Sequence, residues 1–376
     1  MYKNRGAAAP LRLAGLIFQG RPGGNLKVLC LMLAAAAVLL AAPQKGLALG
    51  ESEAIYTAGF RTISLWNAQE NASLEVAIWY PAQREEARLN MQDWSLAAAR
   101  NAKEAPGRFP LVLISHDAGG GRLSYHDTAA DLARQGFVVV APTHRQDNFM
   151  DSSGIFKPAQ ILDRPGELAF VLSGIFGANS LIFIDPSRIA VVGVGSGAAT
   201  ALALAGGVPD FEAYRAYCAG PGVAEPYCSD LAQTRFNQVA SPPQDWPHWT
   251  RPQLKALVLA APACGMFFPR ASLSDVKLPV LIFAPETDSI NNAQIHAELI
   301  RRALPKPPEV ISLDKQDSAD IAAPCADNIL DFDGLNCLPP DEEALEQRQI
   351  AFNIPLAAFL KTQLGGVRPA VAKPAH

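Results

Sequence analysis

The sequence predicts an α/β fold: a mixed, mostly parallel sheet of about eight strands with helices on both faces. Three observations carry this. Short apolar and β-branched runs alternate with longer segments of helical period. The later runs are continuously apolar, as strands buried on both faces are. The composition of the 376-residue chain, 49% hydrophobic and 18% charged, suits a packed core and fits neither disorder nor coiled coil nor collagen-like repeats.

Strands are expected at 60–65, 74–79, 111–115, 137–141, 189–193, 257–260, 280–284 and 309–313. The first two alternate polar and apolar residues (Thr62, Ser64, Glu75), which predicts an antiparallel edge. Helices are expected at 124–135, capped by Ser124 and stopped by Gly136, and at 165–175, 197–205, 291–302 and 341–364, the last with a break at Pro355. Residues 208–252 are rich in Pro, Gln and aromatics without a clear period. They are expected to form a cap over the carboxyl ends of the strands or, alternatively, a disulfide-tied surface loop.

Basic residues from Lys3 to Lys27 precede the uncharged run VLCLMLAAAAVLLAA at 28–42, followed by small residues up to Gly50. This pattern predicts an export signal over 1–48, too short for the ~20 residues of a spanning helix, with a retained signal anchor as the alternative. The expected location is periplasmic or secreted, with no stable membrane span once the signal is removed. A single domain is expected over 51–364, and the tail 365–376 is expected to be disordered. The net charge of −4 supplies no basic field for nucleic acid.

Five of the six cysteines lie beyond residue 48. Cys218 and Cys228 bracket one Gly/Pro-containing loop and Cys325 and Cys337 another, so each pair could close a short disulfide ring in an oxidising compartment. Cys264 is then the free thiol, expected as a small buried turn residue. There is no Cys-x-x-Cys pair, and no cofactor or metal site is expected. Asp331 and Asp333 mimic part of a calcium loop whose first and last ligand positions would be Ile329 and Pro340, which excludes calcium.

The stretch RIAVVGVGSGAA at 188–199 is a strand running into a helix through Gly193, Gly195 and Gly197, the form of a nucleophile elbow. With it come VAIWYP at 76–81, SHDAGG at 115–120, Thr143-His144-Arg145, Asp163-Arg164-Pro165, the strand and acid loop 279–288, and Ala323-Pro324-Cys325. In this order the segments resemble the bacterial dienelactone-hydrolase-like family related to platelet-activating-factor acetylhydrolases, within the α/β-hydrolase superfamily. The resemblance covers most of the chain after the N-terminal segment and implies an α/β-hydrolase fold and carboxylic-ester chemistry.

The family elbow resembles Gly-His-Ser-x-Gly-Gly. Small residues are needed two before and two after the nucleophile, and Gly193 and Gly197 meet that need only if the nucleophile position is Gly195. Ser196, one residue late, is the alternative nucleophile. The triad runs nucleophile, acid, histidine along the chain. The resemblance places the acid at Asp288 and, counting back from Ala323-Pro324-Cys325, the histidine position at Ser318. His296 and His376 are misplaced for a general base. The oxyanion hole is expected at the backbone N–H groups of Ser196 and Ala118. Asp117, where the family prefers glycine, would repel an anion if it pointed into the hole, or would serve a turn if it pointed outward. His144 with Arg145 is expected either to line a pocket or to serve a structural role, and His116, His126 and His144 are dispersed.

These observations predict an exported α/β-hydrolase-fold protein that binds, rather than hydrolyses, a small ester-like or acyl ligand. Two rivals remain at this point: a working carboxylic-ester hydrolase using Ser196, and a partner-binding protein whose cap contacts another chain. Oligomeric state is not legible in the sequence.

Overall fold

The computed structural model describes residues 56–365, except 92–93, 179–180, 221–224, 239–245, 247–253, 289, 314–317 and 325–341. The expectations for 1–48, 366–376, the calcium-like loop and Cys325–Cys337 lie outside the described residues.

The strands are β1 (Thr57–Asn67), β2 (Ala72–Ala82), β3 (Ala87–Met91), β4 (Trp94–Arg100), β5 (Phe109–Ser115), β6 (Val138–Pro142), β7 (Ile184–Val194), β8 (Leu254–Ala260), β9 (Val280–Pro285) and β10 (Glu309–Leu313). They form one sheet in the order β10-β9-β8-β7-β5-β6-β2-β1-β4-β3. From β10 to β6 all pairings are parallel, and β2 joins β6 antiparallel. All eight predicted strands are present, and β3 and β4 are additional. The edge expectation is corrected: β1 and β2 pair antiparallel along their whole length, but β4 continues the sheet beyond β1, so the β3–β4 hairpin forms the edge.

β5 explains the continuous apolar runs. Leu111 and Leu113 enter one buried cluster with Tyr80, Val191 and Phe267, while Val112 and Ile114 enter the cluster of the opposite face with Trp79, Val192 and Phe283. Both faces are covered, so both alternating sets are apolar.

The helices are α1 (His126–Arg134), α2 (Pro158–Leu162), α3 (Arg164–Gly177), α4 (Gly197–Leu204), α5 (Phe211–Cys218), α6 (Asp230–Phe236), α7 (His296–Ala303), α8 (Glu342–Arg348) and α9 (Ile354–Leu364). Ser124 does not cap α1. The cap position is Tyr125, without a side-chain bond, and the Ser124 hydroxyl accepts from Gly121 N instead. α7 starts five residues later than predicted because Asp288, Asn291 and Asn292 organise the preceding turns. The break near Pro355 is a π-helical turn, Gln349–Asn353, immediately before α9. Within 208–252, α5 and α6 are regular helices with real caps: Asp210 accepts from Glu212 N and Ala213 N, and Ser229 from Ala232 N. Cys218 and Cys228 are disulfide-bonded across the intervening loop.

Candidate functional site

β7 enters α4 through Gly195, whose φ of +54° is the left-handed conformation of an elbow apex. The flanking glycines are sterically required. A Cβ on Gly193 would lie 2.2 Å from Gly197 O, and one on Gly197 would lie 2.1 Å from Ser115 O. Gly195 N donates to Ala260 O, and Ala263 N donates to Gly195 O, both at 3.0 Å, tying the apex to the end of β8.

The space beside the apex is filled. A Cβ built on Gly195 would lie 1.9 Å from Asp117 Cγ and 2.0 and 2.1 Å from its two carboxylate oxygens. Asp117 Oδ1 accepts from Ala118 N at 2.7 Å and Ser196 N at 2.8 Å, the two N–H groups of the expected oxyanion hole. Asn291 Nδ2 donates to Oδ2 at 3.0 Å. Of the two directions open to Asp117 in the sequence, the structure adopts the inward one. Burial raises the Asp117 pKa, opposed by the bonds from Ser196, Ala118 and Asn291 and by the charge of Arg164.

Asp288 and Ser318 meet. Asp288 Oδ1 accepts from Ile290 N at 2.8 Å and Asn291 N at 2.7 Å, and Oδ2 accepts from Ser318 N at 2.9 Å. Asn291 therefore links this acid loop to Asp117 and so to Gly195. Asn291 is buried and its Oδ1 has no partner.

Ser196 faces the other way. Its hydroxyl accepts from Arg164 Nη1 at 2.6 Å and is fully buried. Arg164, at the start of α3 and 1% exposed, also donates to Asp147 Oδ2 at 3.1 Å, to Ser115 Oγ at 3.4 Å and to the carbonyl of His116. Asp147 in turn accepts from Gly119 N and from Gln160 Nε2. Arg164 is thus the hub that ties α3 to the elbow and to the 116–120 loop. The sequence singled it out only within Asp163-Arg164-Pro165, while Asp147, Asn291 and Gln160 were not singled out at all.

Two histidines are structural. Ser115 Oγ bonds His144 Nε2 at 2.9 Å, and His144 Nδ1 bonds Glu167 Oε2 at 2.7 Å. The order of atoms resembles a triad, but Ser115 and His144 are fully buried beneath the sheet end, so no substrate reaches the hydroxyl. His144 N donates to His116 Nε2 at 3.0 Å, which leaves His116 Nδ1 to donate to Asp117 O at 2.7 Å. Burial, with the nearby Arg164 charge, pushes both imidazoles well below their usual pKa. His126, also buried, bonds Pro324 O at 3.3 Å. Arg145 pairs with Glu70 and with Glu167 and lines an open cleft of about 540 Å³ with Arg164, Asp151 and Asp163.

Cys264 is buried and unpaired with another cysteine, as the sequence predicts, at φ +60°. Burial, with Asp117 and Glu225 nearby, drives its thiol well above the usual range. His296 Nε2 lies 2.8 Å from Glu225 Oε1, both buried, in a direction that makes no hydrogen bond. The His296 ring packs edge-on against Tyr227 at 5.4 Å. Among the described residues, no group of three or more His, Cys, Asp or Glu side chains is arranged to hold a metal ion.

Residues 67–160 match the family described as platelet-activating factor acetylhydrolase, isoform II. No curated protein matches the chain. Among solved structures, the chain is similar to a ferulic acid esterase from Streptomyces cinnamoneus, at 20% identity and a TM-score of 0.55, covering 88% of this chain and 96% of that one. At this identity the likeness establishes the shared fold. The sheet order, the glycine elbow and the structural likeness give the chain the α/β-hydrolase fold, and over residues 67–160 it is similar to the platelet-activating factor acetylhydrolases.

Proposed function

We propose that the chain is an exported α/β-hydrolase-fold protein that binds an acyl or ester-like ligand at the elbow and does not hydrolyse esters. One observation carries the reading: the Asp117 carboxylate fills both the space of a nucleophile on residue 195 and the hydrogen bonds of the oxyanion hole. Ester hydrolysis in this fold needs a nucleophile at the apex, a histidine to take its proton and vacant N–H donors for the developing oxyanion. Position 195 has no side chain, position 318 beside Asp288 has a serine, and the donors are engaged. Ser196 offers no substitute, since its hydroxyl is buried and bonded to a guanidinium that cannot accept a proton.

The test is treatment of the purified chain with a fluorophosphonate probe and with p-nitrophenyl esters. No serine should be labelled, and hydrolysis should match the buffer control. Stoichiometric labelling at any serine, or turnover abolished by Ser196→Ala, would overturn the reading.

A further inference from the structure

The groups that close on Asp117 form a complete set for one carboxylate. Two backbone N–H donors converge on Oδ1, and the Asn291 amide donates to Oδ2. Two of the three donors, Ser196 N and Asn291 Nδ2, belong to residues held by contacts that do not involve Asp117. Ser196 N is held by the elbow glycines at the start of the eight-residue α4, and Asn291 is held through its own backbone N–H to Asp288 Oδ1 at 2.7 Å. Arg164 adds positive charge close by without entering the hole, its two Nη groups being engaged by Ser196, Asp147, Ser115 and the His116 carbonyl. Such a set of donors favours a negative oxygen pair over a neutral carbonyl, since hydrogen bonds to an ionised acceptor are about twice as strong.

We propose that the elbow donors form a receptor for free carboxylates that Asp117 holds shut from within the chain, so that the ligand class is a carboxylic acid rather than its ester. This rests on the reading that the site binds and does not hydrolyse. Exchanging Asp117 for a ligand carboxylate keeps the charge and the hydrogen bonds of the hole. An ester carbonyl would have to displace an ionised acceptor with a neutral one. Asp117 also has somewhere to go. The residue is partly exposed, so rotation about its own side-chain bonds can carry the carboxylate from the hole to water. A tethered competitor acts at an effective concentration of millimolar or above, so the resident carboxylate weakens ligand binding without abolishing it.

The experiment uses the full chain, with sodium acetate and butyrate as probes, methyl acetate as the neutral control and chloride at matched ionic strength. Asp117→Gly should bind acetate saturably by calorimetry, with wild type at least about tenfold weaker and methyl acetate binding neither. Asp117→Ser, which keeps a small polar side chain on the turn, is the second variant, and near-UV circular dichroism reports whether each is native. Wild type gives a reading that needs no variant: the Ala118 and Ser196 amide resonances should shift saturably with acetate and not with chloride. The proposal is overturned if those amides do not respond to acetate at molar concentration, if a folded variant binds no acetate, or if methyl acetate binds as well as acetate. A negative outcome leaves ester inertness untouched, because that is read separately by probe labelling of the wild type.

Discussion

The carboxylate of Asp117 and the missing side chain of Gly195 claim the same volume: a Cβ on Gly195 would stand 1.9 Å from Asp117 Cγ. Neither residue can be understood alone. A side chain at 195 is excluded while Asp117 lies in the hole, and Asp117 can lie there because 195 is glycine.

This relationship predicts strong coupling. Gly195→Ser places an L side chain at φ +54°, at about 1 to 2 kcal/mol, and overpacks against the carboxylate, at about 1 to 3 kcal/mol more. Asp117→Gly removes the second cost. In a double-mutant cycle read by urea denaturation, the double variant should be more stable than the sum of the singles by about 1 to 3 kcal/mol. Additivity within experimental error would show that Asp117 does not occupy the place described.

Arg164 makes a second case. It is buried among Asp147, Ser196, Ser115 and the His116 carbonyl. Arg164→Met leaves Asp147 as a buried carboxylate without its cation and should cost about 3 to 5 kcal/mol. Arg164→Lys keeps the charge but loses the planar fork that reaches several acceptors at once, so it should recover less than half of that loss. Denaturation midpoints compared at equal slope decide this, and a lysine variant as stable as wild type would refute it.

How much of this was legible follows from where each constraint lies. The elbow register could be read because backbone contact between Gly193 and Gly197 permits only glycine, and that leaves a local mark in the sequence. Positions 288 and 318 were placed by the family resemblance, the latter counted back from 323–325, and in the structure Ser318 N donates to Asp288 Oδ2 at 2.9 Å. The direction of Asp117 could not be read, since it is settled by Asn291, 174 residues away. Arg164 was opaque for the same reason, its reach to Ser196 spanning 32 residues. The β3–β4 hairpin escaped because its strands, ARLNM and WSLAAAR, hold no β-branched residue and owe their conformation to pairing with β1 and with each other. The helices α5 and α6 are too short to declare a period among the surrounding prolines and glycines.

The buried histidines give a pH prediction. His116 and His144 have folded pKa values held well below the ordinary 6.5 by burial and by Arg164. In the unfolded chain both titrate near that value, so as pH falls below 6.5 the unfolded state takes up protons that the fold does not. Their contribution to stability is complete above 6.5 and is lost towards acid, by up to about 1.4 kcal/mol per pH unit for each imidazole. The raised carboxylates of Asp117 and Glu167 act in the opposite sense, since they take up protons in the fold above the pH at which they would do so unfolded. The direct reading is therefore the imidazole itself. In the folded protein neither the His116 nor the His144 ring carbon resonances should show the ordinary imidazole midpoint, and a midpoint near 6.5 for either would be inconsistent with the network.

The cysteines provide the last prediction. Cys218 and Cys228 close a short ring between the end of α5 and the turn before α6, with Cα atoms 5.2 Å apart, and both sit in the core beside Tyr214 and Tyr227. A ring of this size restricts the unfolded chain by about 3 kcal/mol. The paired Cys218→Ala and Cys228→Ala variant should lose roughly that much, with most of the loss around α5 and α6, where Tyr214 hydroxyl bonds Tyr227 O at 2.9 Å. Cys264 should behave differently under the same reagents. It is fully buried against the elbow, and burial keeps its thiol protonated, so it lacks the thiolate that attacks disulfides and aromatic thiol reagents. The disulfide sulfurs are buried as well, so in native protein reductant should open the Cys218–Cys228 bond only as the segment around it loosens, and alkylating reagents should modify Cys264 only at the rate of global unfolding. Fast labelling of Cys264 in denaturant-free buffer would mean that the loop following β8 opens independently, and with it the contact that Ala263 makes to Gly195.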